Sequence, residues 1–271
     1  MDSRLTGIRH VALDMDGTIY CGATLFPWTQ PFLDTLSALG IGFTFITNNS
    51  SKSVAEYAAH LRKFGLAATE SQIHTSALST LDYLRERHSA ARRVFVLGTP
   101  GLAGEFTSRG YEVVDDEPEI VVVGYDTTLT HERLSRAAWW IAKGRPLIAT
   151  HPDRACPTDR PTLLVDCGAI CACLEAATGV RPEAVPGKPD PRMLAGILAR
   201  HKLKADELAM VGDRLYTDMV MAQRAGALGV LVLSGEATAE SAARAVVPPG
   251  LVVPTLAELG EMLKAARRRA P

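Results

Sequence analysis

Asp14 and Asp16 stand two positions apart in His10-Val-Ala-Leu-Asp14-Met15-Asp16-Gly17-Thr18, at the end of a run that reads as a strand. On an extended chain, positions i and i+2 lie on the same side. Two carboxylates held close raise each other's cost of ionisation, so that one of them keeps a proton. Such a pair suits chemistry that needs an anion and an acid in one place; a solvated Asp-Gly turn is the competing reading. Thr47-Asn48-Asn49-Ser50-Ser51 also follows a strand-like run and is dense in hydroxyls, amides and backbone N–H groups. It is suited to hold an oxyanion, although an ordinary Asn/Ser loop before a helix cap has the same composition. In Gly187-Lys188-Pro189-Asp190-Pro191 the prolines stiffen the approach to a helix. Lys188 at that loop tip would neutralise a phosphate, or would be one more surface lysine. Finally, Gly212-Asp213 closes another strand and Asp218 comes five residues on. Asp213 suits a hard divalent cation that prefers oxygen ligands, and Asp218 would serve equally as an acid at a helix N-terminus.

These clusters need elements to place them. Short apolar, β-branched runs alternate with longer helical patterns, which predicts an α/β fold with a mostly parallel sheet. Strands are expected at 10–15, 42–47, 208–211 and 227–233, and helices at 31–39, 76–87, 191–201 and 216–225. Capping boxes at Ser53–Glu56 and Thr255–Glu258 open two more helices. From about 90 to 182 lies a second α/β unit, with strands at 94–97, 111–114, 120–123 and 146–149 and helices at 102–109, 130–143 and 169–178. The stretch around Pro152, Pro157 and Pro161 reads as a long loop inside it. Strand ends of one parallel sheet meet along one edge, where open α/β sheets bind ligands, so four polar clusters at strand ends predict one site.

The ordered set Asp14-x-Asp16-Gly-Thr, Thr47-Asn48-Asn49, Gly187-Lys188-Pro and Gly212-Asp213-x4-Asp218 resembles the haloacid dehalogenase superfamily of phosphatases, over nearly the whole chain. The resemblance implies a Rossmann-like core. Thr47 follows Asp16 by 31 positions, a single crossover, whereas Lys188 follows Thr47 by 141. An insertion therefore separates the second and third motifs, giving a core of 1–89 plus 183–271 and a cap of 90–182. That cap, with Val121-Val-Val-Gly124-Tyr125-Asp126 and Thr130, is similar to the large α/β cap of the NagD-like branch, which includes p-nitrophenylphosphatases and nucleotide phosphatases.

The resemblance implies phosphomonoester hydrolysis through an aspartyl-phosphate, with Asp14 as nucleophile and Asp16 as general acid and then base. It assigns Mg²⁺ to the Asp14 carboxylate, the Asp16 carbonyl and Asp213; the phosphoryl group to Thr47, Asn48, Asn49 and Lys188; and an orienting role to Asp218. Dehalogenase members lack the second Asp, and ion pumps carry a Lys after the nucleophile; neither feature is present. His151, Asp153 and Arg154 form the loop that would meet the leaving group, with His151 where related sequences commonly carry Asn. Glycerol phosphate, phosphoglycolate, nucleoside monophosphates and pyridoxal phosphate fit as substrates by resemblance. A non-catalytic sensor of a phosphorylated ligand is the alternative, disfavoured because a sensor needs no nucleophile and acid together. A phosphotransfer receiver is disfavoured by length and by the position of its acid.

Charge and composition exclude other classes. Lys plus Arg is 29 and Asp plus Glu is 30, so nothing calls for a nucleic-acid or membrane-surface partner. No run reaches the roughly 18 apolar residues of a membrane span, and no leader-like segment is seen. Five cysteines argue for a reducing cytoplasm rather than a disulfide scaffold. Cys167, Cys171 and Cys173 lack the spacing of a zinc knuckle and read as small buried residues of a helix. Trp139-Trp140 reads as core packing or the face of a homodimer formed through the cap.

Overall fold

The computed structural model describes residues 3–158 and 161–268. Packing divides the chain into two compact units: 1–46, 64–73 and 189–271, and 47–63 with 74–188.

A six-stranded sheet, all but residues 47 and 74–75 of it in the first unit, runs in the order Leu251–Val253, Leu228–Val232, Leu208–Gly212, His10–Asp14, Gly42–Thr47 and Ile73–Thr75. The pairings among the first five strands are parallel. Every residue of His10–Asp14, Leu208–Gly212 and Leu228–Val232 is buried. Continuous apolar runs of this kind are what a parallel sheet covered on both faces requires. Leu13 lies beside Val211 and Asp14 beside Ile46, so the chains around Asp14 and Asp213 end at one edge.

Ala12, Ile46, Met193, Leu194, Ile197, Leu208, Met210 and Met221 make one core cluster beneath that edge. Ile197 is fully buried in it. Ile197→Ala is expected to cost about 2–5 kcal/mol, read as a lower urea midpoint; a cost below about 1 kcal/mol would show that the site collapses around the lost volume.

The second unit holds a four-stranded parallel sheet in the order Glu112–Val113, Arg93–Leu97, Ile120–Val123 and Leu147–Ala149. Helices Pro100–Ser108, His131–Ala142 and Cys167–Thr178 belong to the same unit; the last two pack their apolar faces against the sheet. Their starts are capped by Thr99, Thr130 and Asp166, each accepting a backbone N–H. Cys167 and Cys171 are buried in the core and Cys173 is exposed. At helical spacing, i and i+4 share a face and i+6 does not. Trp140 packs partly on the core while Trp139 is 57% exposed.

Several elements differ from the sequence reading. The Pro-rich stretch contains a short hairpin, Ala155–Cys156 with Leu164–Val165. A second hairpin, Tyr20–Cys21 with Thr24–Leu25, follows the first acid motif. The segment expected as a helix from Tyr216 begins as a π-helical turn, Leu215–Met219, and becomes α-helical only over Val220–Ala225. Such widened turns are used to re-aim a functional side chain; here Asp218 is turned inward and fully buried. No helix among the described residues is long and apolar enough to cross a membrane.

Candidate active site

The acids of the first unit gather where the Asp14 and Asp213 strands end. Asp14, Asp213 and Asp218 are 6%, 3% and 0% exposed, and each offers a carboxylate oxygen within 4.8 Å of the others. Asp213 Oδ2 accepts the Glu236 N–H at 2.7 Å, while its buried Oδ1 has no hydrogen-bond partner. Asp218 Oδ2 accepts the Arg214 N–H at 3.1 Å. A dry carboxylate oxygen left without a proton donor is costly. Burial, then the charges of Asp14 and Asp218, push the Asp213 carboxyl up to about 8. The all-oxygen donor set and the orphaned Oδ1 fit a hard divalent cation. Asp218, assigned from sequence to an orienting role, is as close to the cluster as the other two acids.

Asp16 is half-buried, one residue before a tight turn. The turn is closed by backbone: Gly17 N–H to Tyr20 C=O at 2.8 Å and Ile19 N–H to Met15 C=O at 2.9 Å. Gly17 has φ +83°, and a Cβ there would overlap the Asp213 carboxylate. Only glycine satisfies both constraints.

The second unit carries the remaining motif residues. Thr47 Oγ1 accepts the Asn49 N–H at 3.2 Å and keeps its own proton to donate. Asn49 Oδ1 accepts from Ser51 N–H and Oγ–H at 2.9 and 2.6 Å, and its C=O accepts the Tyr57 hydroxyl at 2.8 Å; this side chain holds its loop. Asn48 Oδ1 accepts the Lys188 N–H at 2.7 Å, and Asn48 Nδ2 donates to Lys188 C=O at 3.0 Å and to Asp153 Oδ2 at 3.1 Å. Lys188 is only 3% exposed, which removes the surface-lysine reading.

His151 is fully buried. Its Nε2 lies 2.9 Å from Asp166 Oδ1 and its Nδ1 2.8 Å from Thr150 Oγ1. Burial disfavours the imidazolium, but the Cys167 sulfur and the hydrogen bond and charge of Asp166 outweigh it and lift His151 to about 9. Donor atoms of His151, Asp153 and Asp166 also lie within 4.8 Å of one another. The His151–Asp166 contact, however, has the geometry of a shared proton, so the group is an ion pair without need of a metal. Arg154 is exposed at the same loop.

Two family models match the chain: haloacid dehalogenase-like hydrolase over residues 11–112 and a HAD-hydrolase-like model over 185–259. The acid sugar phosphatase of Staphylococcus aureus is 35% identical over 238 residues, covering 88% of this chain and 91% of the relative. The chain belongs to the haloacid dehalogenase-like hydrolases, in their NagD and p-nitrophenylphosphatase branch. The crystal structure of a 4-nitrophenylphosphatase from Thermotoga maritima superimposes with a TM-score of 0.91 at 39% identity, covering 95% of this chain and 98% of that one. That of a glycerol phosphate phosphatase from Mycobacterium tuberculosis in complex with magnesium gives a TM-score of 0.87 at 34% identity, covering 97% and 80%.

Within this haloacid dehalogenase-like hydrolase, sequence reasoning missed Asp166, and it placed Ser50 and Gly187 in their motifs without a packing role of their own. Asp166 caps a helix two residues earlier than expected, at an Asp-Cys-Gly start that does carry a cap signal. Ser50 Oγ accepts from Tyr125 N–H and from Thr150 Oγ1–H at 3.1 Å, contacts 75 and 100 positions away that no local pattern announces.

Proposed function

We propose that this chain is a Mg²⁺-dependent phosphatase of small phosphomonoesters that works through an aspartyl-phosphate. The reading rests on one observation above others: three buried carboxylates at ligand spacing, one with an orphaned oxygen, in a chain of this family. Mg²⁺ would be held by Asp14, Asp213, the Asp16 carbonyl and, from its position in the cluster, Asp218. When bound it supplies positive charge against which an anionic nucleophile can approach a phosphate dianion. In the first step an Asp14 oxygen bonds to phosphorus as the ester P–O bond breaks, and Asp16 gives its proton to the leaving oxygen. In the second, water attacks phosphorus, its proton passes to Asp16, and the Asp14–phosphorus bond breaks to release orthophosphate. Thr47 donates its hydroxyl proton to the phosphoryl oxygens and Lys188 offsets their charge.

The division into a core of 1–89 plus 183–271 and a cap of 90–182 is part of the same proposal, with the 150–154 loop facing the leaving group. So are a reducing compartment and a homodimer that includes the exposed Trp139, which sedimentation at two concentrations checks. The test is phosphate release from a panel of sugar, glycerol, nucleoside and aryl phosphates, with Mg²⁺ and with chelator. Turnover that needs the metal supports the proposal. Tight binding of an ester with no release would instead establish a sensor.

The cluster also predicts a pH-linked metal effect. The unfolded chain releases the Asp213 proton near 4, whereas the metal-free fold holds it to about 8. Between those values the folded state binds more protons, so its stability falls as pH rises. Metal binding must expel that proton and is therefore favoured by higher pH. Saturating Mg²⁺, at about 100 times its Kd, contributes about 2.7 kcal/mol. The Mg²⁺-induced rise in Tm should be larger at pH 8 than at pH 6; an equal rise at both would place the metal elsewhere.

A further inference from the structure

We infer that Asn48 is a positioning residue that clamps the Lys188 backbone and is set by Asp153, rather than a ligand of the phosphoryl group. The inference rests on the proposed role of Lys188 in holding phosphate.

One carboxamide engages both polar groups of one backbone residue: Asn48 Oδ1 receives the Lys188 N–H at 2.7 Å and Nδ2 donates to the Lys188 C=O at 3.0 Å. The pattern copies the pairing of a neighbouring strand. It also fixes the amide orientation, since a flipped group would set NH₂ against N–H and oxygen against oxygen. The second Nδ2 hydrogen goes to Asp153 Oδ2 at 3.1 Å. Both amide hydrogens are therefore spent, and none is left for a phosphoryl oxygen. The bond to Asp153 has a carboxylate as acceptor, which makes it the charge-assisted member of the set.

The clamp is itself held. The Asn48 carbonyl accepts the Ser76 hydroxyl at 2.5 Å. Asp153 C=O accepts the Gly168 N–H at 2.7 Å and Arg154 C=O accepts the Asp166 N–H at 3.0 Å, so the loop bearing Asp153 is tied to the start of the Cys167–Thr178 helix. The buried His151–Asp166 pair adds a second tie between the same two segments. Gly187 closes the assembly: a Cβ there would lie 2.5 Å from Thr150 C=O, 2.7 Å from His151 Cβ and 2.9 Å from Asn48 Oδ1. The backbone leading into Lys188 is thus pressed against the loop and the clamp at once. A residue of the leaving-group loop sets the group that sets the lysine.

A double-mutant cycle tests this. Asn48→Ala should lower kcat/KM about 10- to 100-fold when Lys188 is present. In a Lys188→Met background the same change should cost less than about 3-fold, because its effect passes through the lysine. Equal losses in both backgrounds would make Asn48 an independent phosphate ligand and overturn the inference. Lys188→Met will turn over slowly, so the cycle is also read as orthophosphate affinity by calorimetry with Mg²⁺ present, where the same non-additivity is expected. If Asn48→Ala does not fold, Asp153 carries the test. Asp153→Asn keeps an acceptor for Nδ2 and should lose less than Asp153→Ala, and the difference between the two should appear only where Lys188 is present. An Asp153→Ala loss that persists in Lys188→Met overturns the inference. Failure of the phosphatase reading looks different: wild type itself would neither release nor bind orthophosphate.

Discussion

Asp14→Asn is expected to lower kcat for every phosphomonoester by at least about 10⁴-fold, the scale seen when a nucleophile is removed. An amide oxygen is a poor nucleophile, and an acyl amide cannot carry the phosphoryl group through the first step. The substitution keeps size and shape at a residue that is 6% exposed and paired in register with Ile46, so the strand and its edge should persist. The same change removes one of the charges that push Asp213 up. The metal-free variant should therefore melt above metal-free wild type, and Mg²⁺ should raise its Tm by less. A dead enzyme with a more stable apo fold is a combined signature that misfolding does not mimic. Acid quench of wild type turning over a ³²P-labelled ester should leave label on the protein, and the variant should leave none. Activity above about 1% of wild type would show that Asp14 is not the nucleophile, since nucleophile loss costs far more than that.

What could be read in advance follows from how local each signal is. The Ile120–Val123 strand was legible because a buried parallel strand needs an unbroken apolar run. The capping boxes at Ser53–Glu56 and Thr255–Glu258 are closed by reciprocal bonds within three residues, which is why spacing alone announced them. The two-residue strands Tyr20–Cys21 and Ala155–Cys156 are too short for any period to show. Leu251–Val253 was hidden by flanking prolines and glycine, which read as loop, yet they suit an edge strand. In the site, Asp14 and Asp213 were legible because each ends an apolar run at a sheet edge. The inward turn of Asp218 depends on a widened helical turn that its sequence does not mark. The partners of Asn48 lie 105 and 140 positions away, and the partner of His151 lies fifteen away across a hairpin. Long-range hydrogen bonds of this kind are written in the fold, not in spacing. The polar loops therefore announced that oxyanion chemistry was near but not which side chain would touch the anion.

Asp16→Asn should divide substrates by their leaving group. The turn that follows is closed by Gly17 N–H to Tyr20 C=O and Ile19 N–H to Met15 C=O, and Ser234 Oγ donates to Gly17 C=O at 2.8 Å, so an amide of the same size at 16 should leave these bonds in place. A p-nitrophenolate leaves as a stable anion and needs no proton, whereas an alkoxide from a sugar or glycerol phosphate must be protonated as the P–O bond breaks. For the aryl ester, the first step should survive in the variant and the second, which needs a base to take the water proton, should not. Rapid mixing should then show a burst of nitrophenolate near one equivalent per protein followed by a slow steady state, with label accumulating on Asp14. For an alkyl phosphate the first step itself fails: kcat should fall about 10²–10⁴-fold with no burst. Equal losses on both esters, with no burst on either, would remove Asp16 from proton transfer and leave it a ligand through its carbonyl alone. A burst on the alkyl ester would assign the leaving-group proton to another group, and the half-buried Asp16 carboxyl would then act only in the second step.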